Sequence, residues 1–267
     1  MSRELRRLLI PPERLGGGGP ALVLTPPERH YLERVLRFRP GDRLAVVDGV
    51  GHLWTARLAE GGELRLEQTP SAPLCTQGAP QPQLELAMAV PKREAELVWR
   101  MASELGADRL QPLIGQRGVA GVSPPLERWR SVVREATEQC ERLWQPLVLE
   151  PAAAAAWLGQ GPGGGAASAV GLLATTRREG LPPLMEGLLE AVRLARAGGG
   201  EPTPISLAIG PEGGWNEDEE RLAELAGWIP VSLGSPILRT STAAVAATAA
   251  LCSWREFSSS SFPGPSP

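Results

Sequence analysis

The sequence predicts an α/β protein of two unequal modules: a small antiparallel β-barrel, then a larger domain with a mainly parallel sheet. Three observations carry this. Residues 1–70 contain short β-type runs punctuated by Gly41-Asp42, Asp48-Gly49 and Gly61-Gly62, as in a small barrel. From residue 83 to 256 strand and helix signals alternate, which argues for parallel strands joined by helical crossovers. Between them, residues 71–82 lie in a polar, proline-dense stretch that reads as a linker.

The elements follow in order. Strands are expected at Ala21–Leu24, Arg43–Val47, His52–Leu58 and Glu63–Glu67, with one helix from about Pro27 to Arg37. Leu84–Val90 is a buried-strand run. Glu94–Leu105 is helical, with Leu97, Met101 and Leu105 as its apolar stripe and Gly106 as its stop. Arg109–Ile114 is a strand. Ser123-Pro124 caps a helix to about Trp144, whose stripe is Trp129, Val133, Ala136 and Cys140. Further strands are Leu147–Leu149, Val170–Ala174, Ile205–Ile209 and Ile229–Leu233. Asn216 and Glu219 form a capping box whose helix ends at Gly227, and four acids, 217–220, suit its first turn. Thr242–Glu256 is the last helix. Residues 152–156, 161–167 and 198–200 read as low-complexity loops, and 257–267 as a disordered tail.

Composition narrows the function. A chain of 267 residues buries about 70–75% of its unfolded surface and needs no staple. Three scattered cysteines (Cys75, Cys140, Cys252) argue against a disulfide scaffold and for a reducing cytoplasm. Two histidines and no C-x-x-C exclude a His/Cys zinc site, so no metal is expected. The longest apolar run, 242–252, is too short to span a bilayer, so no membrane partner is expected, and the Arg-rich start does not read as a signal peptide. All but one of the 27 basic residues are Arg, so it is their placement that matters. Residues 1–43 hold nine Arg against five acids, whereas the chain as a whole carries −3. A basic small module on an acidic larger one hints at a polyanion partner.

Three glycine motifs stand out. Gly159-Gln-Gly161-Pro-Gly-Gly164 matches G-x-G-x-x-G but lacks the strand–turn–helix setting of a nucleotide loop and reads as filler. Ile209-Gly-Pro-Glu-Gly-Gly-Trp215 lies where a strand ends and a capped helix begins, the place where open α/β sheets bind ligands. Its alternative is a tight strand-to-helix turn. Leu233-Gly-Ser-Pro-Ile-Leu-Arg-Thr-Ser-Thr-Ala-Ala244 repeats the arrangement with one charge, Arg239; its alternative is an N-cap and a core helix. Together they outline a pocket of main-chain groups, better suited to a neutral ring or a cation than to a phosphate.

This pair of motifs resembles the RsmE-type ribosomal RNA uracil-N3 methyltransferases of the SPOUT superfamily. Other segments agree in order: Arg6-Arg7, Val35-Leu-Arg37 before Gly41-Asp42, Lys92, Glu104-Leu-Gly106, Gln111-Pro-Leu113 before Arg117, Arg128-Trp129, and Glu135-Ala-Thr-Glu-Gln139 with Arg142 and Pro146. The resemblance covers residues 3–256. Two departures are visible: Ser241 stands where the family usually has Glu, and Arg93-Glu94 stands where Gly-Asp is commoner.

The resemblance implies a PUA-like barrel and a trefoil-knotted methyltransferase domain that binds S-adenosyl-L-methionine and works as a homodimer on 16S ribosomal RNA of the small subunit. It places the cofactor on Leu173, Ala174, Ile209, Gly210, Gly213, Leu233, Gly234, Ile237, Leu238, Thr242 and Ala243. The RNA would meet Arg6, Arg7, Arg29, Arg34, Arg37, Lys92 and Arg117, each of which is otherwise a solvated surface residue. Arg239 is the leading candidate to orient the base or a phosphate; a salt bridge to Glu212 or to the acidic helix cluster is its alternative. Glu138 and Arg142 share a helix face, and a catalytic role is weighed against simple pairing. No side chain stands out as a general base. The competing readings are an RNA-binding or ribosome-assembly protein without catalysis, for which Ser241 leaves room, and a knotted methyltransferase acting on transfer RNA.

Overall fold

A computed structural model describes residues 5–16, 19–115, 125–166, 168–199, 201 and 203–260. The chain forms two units, Met1–Ala79 with Arg134–Gln145, and Pro80–Val133 with Pro146–Pro267.

The first unit contains β1 (Arg7–Leu9), α1 (Pro12–Leu15), β2 (Ala21–Val23), α2 (Pro26–His30), β3 (Arg43–Val47), β4 (His52–Leu58), β5 (Glu63–Leu66) and β6 (Cys75–Thr76). Its sheet runs β1-β3-β4-β5-β2, with β6 also on β4. All pairs are antiparallel except β1 with β3. Leu8, Leu22, Leu44, Val46, Trp54, Ala56 and Leu64 form its core. Thr25 caps α2: the Glu28 N–H donates to Thr25 Oγ1, and the Thr25 N–H donates to the Glu28 carboxylate at 2.8 Å. The helix then widens into a π-turn over Tyr31–Val35, in which the Leu36 N–H donates to the Tyr31 carbonyl at 2.9 Å.

The proline-dense stretch, expected as a linker, packs onto this sheet. Cys75 and Thr76 pair with Leu53 and His52, and the N–H groups of Leu74 and Gln77 donate to Leu53 and Gly51. The prolines leave those two donors free to bond.

The second unit contains β7 (Leu84–Ala89), α3 (Ala95–Leu105), β8 (Arg109–Ile114), the start of α4 (Leu126–Gln139), β9 (Leu147–Val148), β10 (Ala152–Ala153), α5 (Ala154–Gly159), β11 (Val170–Ala174), α6 (Leu184–Ala197), β12 (Ile205–Ile209), α7 (Glu217–Leu225), β13 (Ile229–Val231) and α8 (Thr240–Ser260). Its sheet is parallel throughout, in the order β10-β8-β7-β12-β11-β13, with β9 also on β8. The side-chain period of two splits the strands between two cores. Leu86, Met88, Leu172, Leu207 and Ile209 face one side, with Val98 and Trp99 of α3, Leu188 of α6 and Leu251 of α8. Ala87, Leu173 and Ala208 face the other, with Leu158 of α5, Ala223 of α7 and Trp228. Glu85, buried in the central strand β7, is satisfied from both neighbours: Arg109 Nε lies at 3.2 Å and Ser206 Oγ donates at 2.6 Å.

Several expectations are corrected. The buried face of α3 is Val98, Trp99 and Ala102, while Leu97 and Leu105 are exposed. The helix expected to reach Trp144 stops at Gln139, because Glu141 takes φ +65° and turns the chain so that Trp144 bridges Val50. The alanine run 152–156 forms β10 and the start of α5, held where Trp228 Nε1 donates to the Leu158 carbonyl at 2.9 Å. Residues 162–164 make a 3-10 turn whose Pro162 is buried. It packs on Gly171, where an added Cβ would fall 2.2 Å from Pro162 Cγ. The last helix continues to Ser260. The Ser123-Pro124 cap, residue 167 of the second low-complexity loop, residue 200 of the third, and residues 261–267 of the tail lie outside the described residues.

Candidate active site

The carboxyl ends of β11, β12 and β13 lie side by side, and the loops that leave them are bonded to one another. The Thr175 N–H donates to the Val231 carbonyl at 3.1 Å, Trp215 Nε1 to the Ala174 carbonyl at 3.0 Å, and Thr240 Oγ1 to the Gly210 carbonyl at 2.9 Å. Gly214 and Gly234 adopt φ of +73° and +119°, a region that L side chains enter at a cost. Asn216 caps α7, so the loop from Gly210 ends in a fixed helix start.

These loops enclose a cleft of about 280 Å³. Ala174, Ile209, Gly210, Gly213, Leu233, Gly234, Ile237, Leu238 and Ala243 line it, all of them cofactor residues expected from the sequence. Leu173 is fully buried one residue behind the wall, and Thr242 is exposed and outside the lining. The sequence reading missed Thr175, Trp215, Glu220 and Thr240, which also line the cleft. For Thr240 the signal was present, since it follows Arg239 at the start of the last helix.

The chemistry of the wall is mixed. Pro236, Ile237 and Leu238 supply apolar surface, Glu212, Glu217 and Glu220 supply carboxylates, and Arg177 supplies one cation. Glu220 accepts a short hydrogen bond from Thr175 Oγ1 and pairs with Arg178 Nη1 at 3.3 Å. Hydrogen bonding to Glu224 and Glu220 pushes Arg178 further up from its ordinary pKa. A flat apolar ring carrying a cationic group matches this lining, whereas a polyphosphate meets three carboxylates against one guanidinium.

Arg239 is exposed at the lip, outside the lining, and has no ion-pair partner among the described residues; the bridge to Glu212 is not formed. Glu138 and Arg142 belong to the first unit. There the Glu138 carboxylate is nearly buried, accepts the Leu9 N–H at 2.8 Å and lies 3.6 Å from Arg134 Nε. Burial pushes its carboxyl up, against the Leu9 hydrogen bond and Arg134. This is the geometry of a structural anchor.

Of the residues assigned to RNA, Arg6, Arg34, Arg37 and Lys92 are exposed and carry no ion pair among the described residues. Arg7 pairs with Glu141 at 3.1 Å, and Arg29 donates to the Gly61 carbonyl at 3.0 Å. Arg117 lies outside the described residues. Among those residues no helix is long and apolar enough to cross a membrane, and no cluster of three His, Cys, Asp or Glu side chains is placed to hold a metal.

Comparison with known proteins places this geometry. Residues 78–252 match the family model of the RNA methyltransferase domain, and residues 24–67 that of the RNA methyltransferase PUA domain. The chain is 38% identical over 247 residues to ribosomal RNA small subunit methyltransferase E of a Synechocystis species, covering 91% of this chain and 76% of that one. It is 32% identical to the protein of the same name from Mycobacterium bovis, over 87% and 86% of the two chains. In structure it resembles ribosomal RNA small subunit methyltransferase E of Neisseria gonorrhoeae, solved bound to S-adenosyl methionine. That match has a TM-score of 0.75 at 28% identity and covers 94% of this chain and 98% of the other. With a parallel-sheet domain preceded by a PUA-like sheet, the chain belongs to the ribosomal RNA small subunit methyltransferase E family.

Proposed function

We propose that the cleft binds S-adenosyl-L-methionine and that the protein methylates N3 of a specific uridine in 16S ribosomal RNA. The observation that carries this reading is the cleft itself. Three crossover loops, mutually bonded through Gly210, Ala174 and Val231, present main-chain groups, apolar surface and three carboxylates at one edge of a parallel sheet.

When bound, S-adenosyl-L-methionine supplies an activated methyl group on a cationic sulfur. The protein's part is to hold, align and dry the reacting groups. Leu233, Ile237 and Leu238 would supply the apolar sides of a site for the donor's flat ring, and the loops at Ala174, Gly210 and Gly234 would hold it. Glu212, Glu217 and Glu220 favour a cation in the cleft. Arg239, unpaired at the lip, meets the incoming RNA as a phosphate or carbonyl contact, with cationic charge suited to the anion that develops as N3 loses its proton. Arg6, Arg34 and Arg37 supply sequence-independent phosphate contacts. The target base leaves its stack to reach the site. The same reading includes a trefoil-knotted domain, a homodimer as the active unit, and action in the cytoplasm on the small ribosomal subunit.

The test is to map N3-methyluridine in ribosomal RNA from a strain lacking this protein and from the same strain with it restored. The reading expects the mark in small-subunit RNA to vanish and return. A mark that persists without the protein, or a loss confined to transfer RNA, contradicts it.

A further inference from the structure

A second cavity of about 580 Å³ opens beside the first. It sits where β7 and β8 end, and β7 pairs with β12 up to Met88 and Ile209, so both cavities share the carboxyl edge of one sheet. They adjoin through Gly115 of the second, where an added Cβ would lie 3.7 Å from Pro211 Cγ of the first. Apolar groups dominate its wall, among them Val90, Leu97, Ile114 and Trp129, with Lys92, Arg93, Glu94 and Glu96 as charged members, of which Glu96 is already paired with Arg128.

Glu94 is unusual. Its backbone is left-handed, with φ +71°, and its side chain does not cap α3, which starts one residue later. A non-glycine residue pays for that conformation, and such outliers point to a function. The conformation delivers the carboxylate to Ser241 on the first turn of α8, where Ser241 Oγ donates to Glu94 Oε2 at 2.7 Å. Thr240, next to Ser241, lines the first cleft. The Glu94–Ser241 bond therefore stands at the seam of the two cavities. Glu94 has no cationic partner among the described residues, which leaves Oε1 to accept another hydrogen bond.

We propose that the second cavity receives the target uracil, with Glu94, steadied by Ser241, as acceptor of the N3 proton and Lys92 and Arg93 as donors to the ring carbonyls. This rests on the function proposed above. Uracil presents an N–H between two carbonyl oxygens on a small apolar ring, and the cavity offers one carboxylate not held by a cation among the described residues, Glu94, beside two cations in an apolar wall. Cytosine has no proton at N3 and is not matched. In the reaction the N3–H bond breaks, its proton passes to a Glu94 oxygen, and its electron pair remains on N3 to bond the methyl carbon. The methyl–sulfur electron pair stays on sulfur, which becomes a neutral thioether. The Glu94 carboxyl then returns its proton to water. The serine at position 241 thus holds a carboxylate supplied from across the cleft.

The experiment uses the full chain, small-subunit RNA transcribed with uridine or with 5-fluorouridine, and the variants Glu94→Gln and Ser241→Ala. Fluorine at C5 makes the N3–H more acidic, so methylation depends less on a protein base. Single-turnover rates on uridine RNA are expected to fall about 100-fold in Glu94→Gln and about 10-fold in Ser241→Ala, with most of each loss recovered on 5-fluorouridine RNA. Calorimetric affinity for S-adenosyl-L-methionine is expected to stay within roughly twofold of wild type in both. A Glu94→Gln rate close to wild type, an equal loss on both RNAs, or a fall in cofactor affinity that accounts for the loss overturns the assignment. A wild-type protein that binds the cofactor but leaves N3 unmodified on either RNA overturns the functional reading, and this assignment with it.

Discussion

A Cβ on Gly210 would sit 3.1 Å from the ring of Trp215, whose Nε1 holds the Ala174 carbonyl. One missing side chain thus allows the loops after β11 and β12 to close on each other. The charged residues follow a different logic. In the first unit Glu67 accepts hydrogen bonds from Arg43 and from Thr55 Oγ1, with Arg57 beside it, and these hold its carboxyl at about 2, below the ordinary 4.5. Because the folded state lowers this pKa, the stabilisation is present above the ordinary value and is lost as pH falls from about 4.5 toward 2. Glu67→Gln is expected to flatten the fall of urea-unfolding stability across that window. An unchanged pH profile contradicts the role given to these bonds. Glu28 behaves similarly: burial alone would raise its pKa, but hydrogen bonds from Arg14 and Thr25 hold it below the ordinary value.

Among the elements, those with strong local signals were legible. The Asn216–Glu219 box forms as read: the Glu219 N–H donates to Asn216 Oδ1 at 2.8 Å and the Asn216 N–H to Glu219 Oε2 at 2.9 Å. Asn216→Ala is expected to cost about 1 kcal/mol in urea unfolding of the full chain. A cost near zero would mean that other contacts fix the start of α7. Helix α3 was placed correctly but rotated wrongly. Leu97, Met101 and Leu105 repeat at i, i+4 and i+8, yet Trp99 is the bulkier group, and its 0% exposure shows that it turns the helix inward. Helix α6 escaped notice although Leu184, Leu188, Ala191 and Val192 recur at helical spacing, because flanking Gly and Pro masked the run. The alanine-rich segment 152–156 carries no periodic signal at all. Its structure comes from pairing with β8 and from Trp228, which are tertiary contacts.

At the scale of the whole molecule, the order of the chain and the order of the units differ. Residues 134–145 join the first unit through Glu138, Glu141 and Leu143, a return that no local composition announces. The parallel sheet was foreseeable from alternation, but its strand order was not, since pairing is decided by contacts distant in sequence. Most of the cleft wall was legible because glycine loops at strand ends carry their own geometry. The seam between the two cavities was not, because Glu94 and Ser241 are 147 positions apart. The function proposed for the molecule requires that the cleft formed by the loops after β11, β12 and β13 hold the methyl donor. Its most direct test is calorimetric titration of S-adenosyl-L-methionine into the wild-type chain and into Gly210→Val, with circular dichroism to check that both are folded. Saturable binding is expected for the wild type and none detectable for the folded variant; equal affinities would place the donor elsewhere, and a wild-type protein that does not bind would contradict the proposed function.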